Sequence, residues 1–290
     1  MGLGPGALLP RSNGDCIERL FGRVGSCHAP PSPGAMTAPV RRQNLASFDF
    51  VVHPAGTLRL DQVNLRAKLN HKRDYDEQVT TLERELLGLQ IKTFRKKERA
   101  IIVFEGWDAA GKGGVIKRLT AEMDPRGYKV WPIAAPRDQE RRQHYLWRFW
   151  NRIPEKGEIA IFDRSWYGRV LVERVEKLVP REAWVRAYDE INAFEKMLTD
   201  DGVRMAKFFL HIDRKTQLKR FRNREHDPMK HYKITPDDWR NRRKWKDYEV
   251  AIQEMFDRTH RPDAPWHLVP AVDKRYARLQ ILRACAQLLK

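Results

Sequence analysis

The stretch that decides the fold is IIVFEGWDAAGKGG, residues 101–114. Ile101, Ile102, Val103 and Phe104 are apolar and mostly β-branched or aromatic, which predicts a buried strand. They run into Gly106 and then Gly111-Lys112-Gly113-Gly114, after which Val115, Ile116, Leu119 and Met123 recur at helical spacing. Strand, glycine-rich turn and helix start is the geometry that points backbone N–H groups and a helix N-terminus at a phosphate. Gly106 and Gly111-Lys112 match the first part of the G-x-x-x-x-G-K-[ST] pattern, with Lys112 placed to neutralise a transferring phosphate. Gly113 stands where the hydroxyl that helps hold Mg²⁺ would be. Asp108, inside the loop, is the candidate to replace it.

Beyond the loop, strand and helix signals alternate. Residues 128–133 read as a strand and 137–150 as an aromatic-rich helix; 159–162 form an apolar run ending at Asp163. A helix is predicted over 182–198, a strand over 204–212 and a helix over 215–224. A long basic helix over 239–257, a strand over 266–270 and a helix over 275–289 close the chain. Strands separated by helices predict a three-layer α/β fold with a parallel sheet covered on both faces. Upstream, 48–72 reads as an arm leading into a helix whose stripe (Tyr75, Val79, Leu82, Leu86, Leu89) either packs on the sheet or mediates self-association. Residues 1–46, rich in Gly, Pro, Ser and Arg, cannot repay the entropy of ordering and are expected to be a disordered extension, with Met36 as an alternative start. The remainder, 47–290, is expected to be one catalytic domain.

Composition narrows the function. No apolar run approaches the roughly 20 residues that span a bilayer, and three scattered Cys make no disulfide framework; the expected compartment is the cytoplasm. The net charge of +18 calls for a polyanionic partner. Residues 214–246 carry 13 Lys/Arg against four acids, half of that charge.

Asp163, ending the strand expected beside the first, would arrive close to the phosphates and their Mg²⁺. Asp108 and Asp163 together offer hard oxygen ligands to Mg²⁺, which completes its shell with water and substrate phosphates. Arg164, Arg169 and Arg174 follow at five-residue intervals, and their guanidinium forks could grip phosphate oxygens; Arg118, on the helix leaving the loop, could join them. The basic segment is broken by Asp227-Pro228 and Thr235-Pro236, a helix–loop–helix pattern suited to a lid that excludes water from a phosphoryl-transfer site. No His stands at metal-ligand spacing with Cys. A nucleic-acid binder with a decayed phosphate loop would also be basic, but it has no use for Asp108 and Asp163. An ATP-dependent nucleoside monophosphate kinase is the other enzyme reading.

Three motifs in order, EGWDAAGKGGVIKRL (105–119), FDRSWYGRVLVERV (162–175) and NREHDPMKHYK with TPDDWRNRRKWKDY (223–233 and 235–248), resemble those of family-2 polyphosphate kinases. The resemblance runs from about Leu58 to the C-terminus. Trp107 and Gly168-Arg169-Val170-Leu171 are most similar to the AMP-using branch, whose members often carry two fused copies of the domain where this chain has one. The resemblance implies a P-loop kinase fold with a basic lid. It implies reversible transfer of the terminal phosphate of inorganic polyphosphate to a nucleoside mono- or diphosphate, with Mg²⁺. Asp108 and Asp163 would serve the metal and acceptor phosphate. Lys112 and the N–H groups of Ala110, Gly111, Gly113 and Gly114 would cradle the donor. Arg164, Arg224 and Arg169 would stabilise charge, and Lys230 and Lys233 would be lid contacts. It also implies a homo-oligomer, dimer or tetramer, and neither nucleic acid nor membrane as a partner.

Overall fold

The computed structural model describes residues 58–69 and 72–290; the expected extension over 1–46 lies outside the described residues. Five strands, β1 (Arg99–Gly106), β2 (Tyr128–Pro132), β3 (Ile159–Asp163), β4 (Val203–His211) and β5 (Trp266–Pro270), form one sheet in the order β2-β3-β1-β4-β5. Every pairing is parallel. The interior of β1, Ala100 to Phe104, is at most 1% exposed, as a central strand covered on both faces must be. Continuous apolar runs, rather than alternating ones, are the consequence.

Helices cover both faces. One layer holds α1 (Lys72–Arg95), α2 (Lys112–Leu119) and the C-terminal helix α7 (Lys274–Leu289); the other holds α3 (Arg181–Asp200) and α6 (Trp245–Thr259). Tyr75, Val79, Leu86 and Leu89 of α1 are buried in this chain's own core, where α1 packs along α7. The stripe is therefore spent on the fold and is not a free seam for self-association. Between β4 and α6 stand α4 (Arg214–Glu225), a loop containing the turn His231–Lys233, and α5 (Pro236–Arg243), the expected lid.

Two predicted helices are each broken in two. Residues 137–150 form single turns at Asp138–Arg141 and Trp147–Trp150. The polar run up to His144 has no apolar stripe and is held by polar contacts, among them Glu140, which accepts from the Arg137 amide at 2.9 Å and pairs with Arg152 at 3.0 Å. The basic helix over 239–257 breaks at Lys244, whose ammonium reaches Glu176 at 2.8 Å and the Val175 carbonyl at 3.3 Å. That break turns Trp245 onto the phosphate loop.

Candidate active site

β1 delivers the loop. Gly106 has φ 143°, and a Cβ there would lie 2.6 Å from the Leu210 carbonyl oxygen of β4, so strand register itself demands glycine. Gly111 turns the chain into α2 at φ 121°. Ala109 takes φ 61° without glycine's freedom, a local strain of the kind found at functional turns. A Cβ on Gly113 would meet nothing within 4 Å, so a hydroxyl side chain is absent there without being sterically excluded.

Not every expected cradle amide is free. The Ala110 N–H donates to the Trp107 carbonyl and the Gly114 N–H to the Gly111 carbonyl, both at 3.0 Å. Gly111, Lys112 and Gly113 are left to supply the open donors of the helix start. Lys112 rests its ammonium on the Gly106 carbonyl at 2.7 Å. Burial, with Arg164 adding, lowers its pKa, while Asp108, Asp163 and Glu105 pull it back up.

The second motif meets the loop through sheet register: Asp163 pairs with Phe104, so the β3 carboxylate arrives at the edge where the loop begins. Arg164, at φ 67°, donates its amide to the Phe104 carbonyl at 2.9 Å and reaches Asp108 Oδ1 with Nη2 at 3.1 Å. Burial opposes its charge, but Asp108, Glu105 and Asp163 outweigh that and raise its pKa. Asp108 and Asp163 thus act on both Lys112 and Arg164, which gathers the four groups in one electrostatic cluster.

Several contributors have no role at the site in the sequence reading. Glu105 is buried beneath the loop and accepts from the Ser165 hydroxyl at 2.8 Å; burial raises its pKa, against Lys112 and Ser165. Asn241 of α5 donates to Asp108 Oδ2 at 3.0 Å, joining the lid to the loop acid. Trp107 stacks on Trp245 at 3.7 Å and 4°, and its indole N–H donates to His211 Nδ1 at 2.9 Å. Arg220 donates to the carbonyls of Ala109 and Ala110 and, with its other amine, to those of Ala271 and Val272. It is a clasp on the loop, not a phosphate grip.

The remaining predicted residues divide. Arg224, near the end of α4, donates to the Lys233 carbonyl at 3.1 Å and so faces the lid loop, where Lys230 pairs with Asp227 and Lys233 lies over Tyr232. Three arginines have other partners. Arg118 meets Glu83 of α1 at 3.5 Å. Arg169 pairs with Glu173 at 3.0 Å and covers the Tyr145 ring. Arg174 binds the Tyr188 hydroxyl and Glu254, both at 2.7 Å, over Trp184. Their contacts are with protein, and none joins the Asp108 cluster.

No cluster of three or more His, Cys, Asp or Glu suited to a metal occurs among the described residues. The Asp108–Asp163 pair still fits Mg²⁺, an ion that takes one or two carboxylates and completes its shell with waters and phosphates.

Known proteins resemble this chain in sequence and in fold. A family model described as "Polyphosphate kinase 2 (PPK2)" matches residues 69–290. The chain is 51% identical over 242 residues to a polyphosphate:AMP phosphotransferase of Pseudomonas syringae, covering 83% of this chain and 48% of that protein. It is 42% identical over 216 residues to an ADP-polyphosphate phosphotransferase of Pseudomonas aeruginosa, covering 74% and 71%. The crystal structure of Polyphosphate Kinase 2 from Arthrobacter aurescens TC1 superposes with a TM-score of 0.78 at 32% identity, covering 82% and 87%. The chain spans about half the length of the polyphosphate:AMP phosphotransferases it matches.

Proposed function

As the chain belongs to the polyphosphate kinase 2 family, we propose that it moves the terminal phosphoryl group of inorganic polyphosphate to AMP, giving ADP, in a reversible reaction. The observation that carries this is the cluster of Lys112, Arg164, Asp108 and Asp163 where β1 and β3 end. Phosphoryl transfer asks a protein for positioning and charge neutralisation more than for covalent chemistry. Lys112 and Arg164 place positive charge on the transferring group, and the amides of Gly111, Lys112 and Gly113 orient it. Asp108 and Asp163 would hold Mg²⁺, which when bound neutralises charge on the phosphate oxygens. Arg224, Lys230 and Lys233 close over the donor from the lid and exclude water. Arg164 and Asn241 hold Asp108 in place, so lid and loop act together.

AMP as acceptor is supported by the 51% identity to a protein named for that substrate. A second reading, ADP or GDP as acceptor, is supported by the 42% identity over 216 residues to a protein named for ADP. A polymer of phosphates also accounts for a charge of +18 better than a small nucleotide does. We further propose that 47–290 act as one catalytic domain, in the cytoplasm and as a homo-oligomer. No helix among the described residues is long and apolar enough to cross a membrane.

The test is turnover with AMP, ADP and GDP as acceptors, each with polyphosphate or ATP as donor. Polyphosphate with AMP should be the fastest pair. Transfer from ATP but not from polyphosphate would overturn the reading.

A further inference from the structure

The loop acid Asp108 is gripped from three directions. One carboxylate oxygen accepts from Arg164, which follows β3, at 3.1 Å, and the other from the Asn241 side-chain amide of α5 at 3.0 Å. Its backbone carbonyl accepts from the Gln217 amide of α4 at 3.2 Å. Both arms of the lid therefore touch this residue. An ionised carboxylate has about four acceptor positions, so two donors leave room on it for a ligand.

Asn241 has a donor end and an acceptor end, and its two partners agree on which faces where. The Tyr248 hydroxyl of α6 donates to Asn241 Oδ1 at 3.3 Å, which turns Nδ2 toward Asp108. The reverse orientation would set an amide oxygen against a carboxylate. Burial raises the pKa of the Tyr248 hydroxyl, with Glu176 and Asp108 adding, so it keeps its proton and donates. Its ring stands edge-on to Trp107 of the loop at 6.4 Å and 65°.

The helix break brings this pair together. Seven residues of unbroken helix would separate Asn241 from Tyr248 by about 10 Å along the axis, but the chain turns at Lys244. Glu176, whose side chain is 6% exposed, secures that turn by pairing with Lys244 at 2.8 Å and Arg240 at 2.9 Å. Glu176 follows directly on the second motif, so the segment that starts at Asp163 also sets where α5 presents its amide.

We propose that Asn241 and Tyr248 are positioning residues for the metal site: Tyr248 fixes the Asn241 amide, and Asn241 fixes the Asp108 carboxylate that would hold Mg²⁺. Tyr248 acts only through Asn241, and Asn241 only through Asp108. The base of the lid then orients a metal ligand besides covering the donor. This inference rests on Asp108 being that ligand.

The experiment uses the full chain with Asn241→Ala, Tyr248→Phe, their double variant and Asp108→Asn. Mn²⁺ affinity is measured by electron paramagnetic resonance with polyphosphate present, beside melting curves, kcat and the apparent KM for Mg²⁺. Loss of an outer partner of a metal ligand costs about 10–100-fold in affinity, so Asn241→Ala should weaken Mn²⁺ about tenfold or more. Tyr248→Phe, which removes one neutral hydrogen bond, should weaken it about two- to tenfold. Both should raise KM for Mg²⁺ more than they lower kcat at saturating Mg²⁺. The double variant should bind Mn²⁺ as Asn241→Ala does, because the hydroxyl then has no amide to hold. Tyr248→Phe keeps the ring against Trp107, so it decides the question even where Asn241→Ala unfolds. Wild-type Mn²⁺ affinity in Tyr248→Phe, or additive losses in a folded double variant, would refute the positioning role and leave Asp108 as a ligand. Mn²⁺ held by Asp108→Asn as tightly as by the wild type would remove the metal reading beneath it.

Discussion

Replacing Lys207 by Met should be among the most damaging changes outside the active site. Lys207 and Glu195 are both fully buried and 2.7 Å apart. The ammonium also donates to the Tyr167 hydroxyl at 2.8 Å and the Thr259 carbonyl at 2.9 Å. Glu195 in turn accepts from the Trp166 indole at 3.0 Å and the Tyr167 hydroxyl at 2.7 Å. Burial lowers the Lys207 pKa, and Glu195 acts against that. Met at 207 leaves a buried carboxylate without a countercharge, a loss of about 3–5 kcal/mol. That is a large share of the roughly 5–15 kcal/mol that holds a domain together. At about 2–4 °C per kcal/mol for a domain of this size, the melting temperature should fall by about 6–20 °C. Adding Glu195→Gln removes the stranded charge and keeps an acceptor for Trp166 and Tyr167, so the double variant should recover about 1–3 kcal/mol. Urea unfolding of wild type, both single variants and the double variant measures this directly. A loss under about 1 kcal/mol in Lys207→Met, or a double variant worse than the single, would refute the reasoning. The network also secures Trp166 and Tyr167, which follow Asp163-Arg164-Ser165, so a loosened core should reach the site.

Other outcomes follow from the same geometry. Asp108→Asn, Lys112→Ala and Asp163→Asn should each lower turnover by roughly a hundredfold or more with unchanged melting curves; near-normal kcat in one of them removes it from the site. Gly106→Ala should destabilise by about 1–3 kcal/mol, because the new methyl meets β4 backbone and φ 143° is strained. Gly113→Ala, with open space and helical backbone, should be neutral or stabilising by up to about 1 kcal/mol, and thermal melts compare the two. Burial lowers His211 from 6.5 to about 4 and His267 to about 3, helped in His267 by His260 and Lys207. Both are neutral in the fold while the unfolded chain protonates near 6.5, so their stability is fully present above that pH and is lost as pH falls toward 4 and 3. Stability against pH should therefore decline below about 6.5, and the decline should be shallower in His211→Asn.

Much of this architecture was legible because it is local. A β-branched run ending in glycine fixes β1 and the loop, and proline-marked turns among cations fix the lid. What escaped depends on partners distant in sequence. The Arg220 clasp, the Asn241–Asp108 bond, the Trp107–Trp245 stack and the Lys207 network join residues whose pairing no short motif encodes. Charge alone also misleads. Arg164, Arg169 and Arg174 recur every five residues, about 140° past a full helical turn, so a helix would not hold them on one face. The structure gives them three different environments, and only Arg164 meets Asp108.

The most direct test of the central claim is a Mn²⁺ titration followed by electron paramagnetic resonance in the presence of polyphosphate. One tightly bound ion per chain is predicted in the wild type, lost in Asp108→Asn and again in Asp163→Asn. Mn²⁺ bound as tightly by both variants as by the wild type would contradict a site built from these two acids.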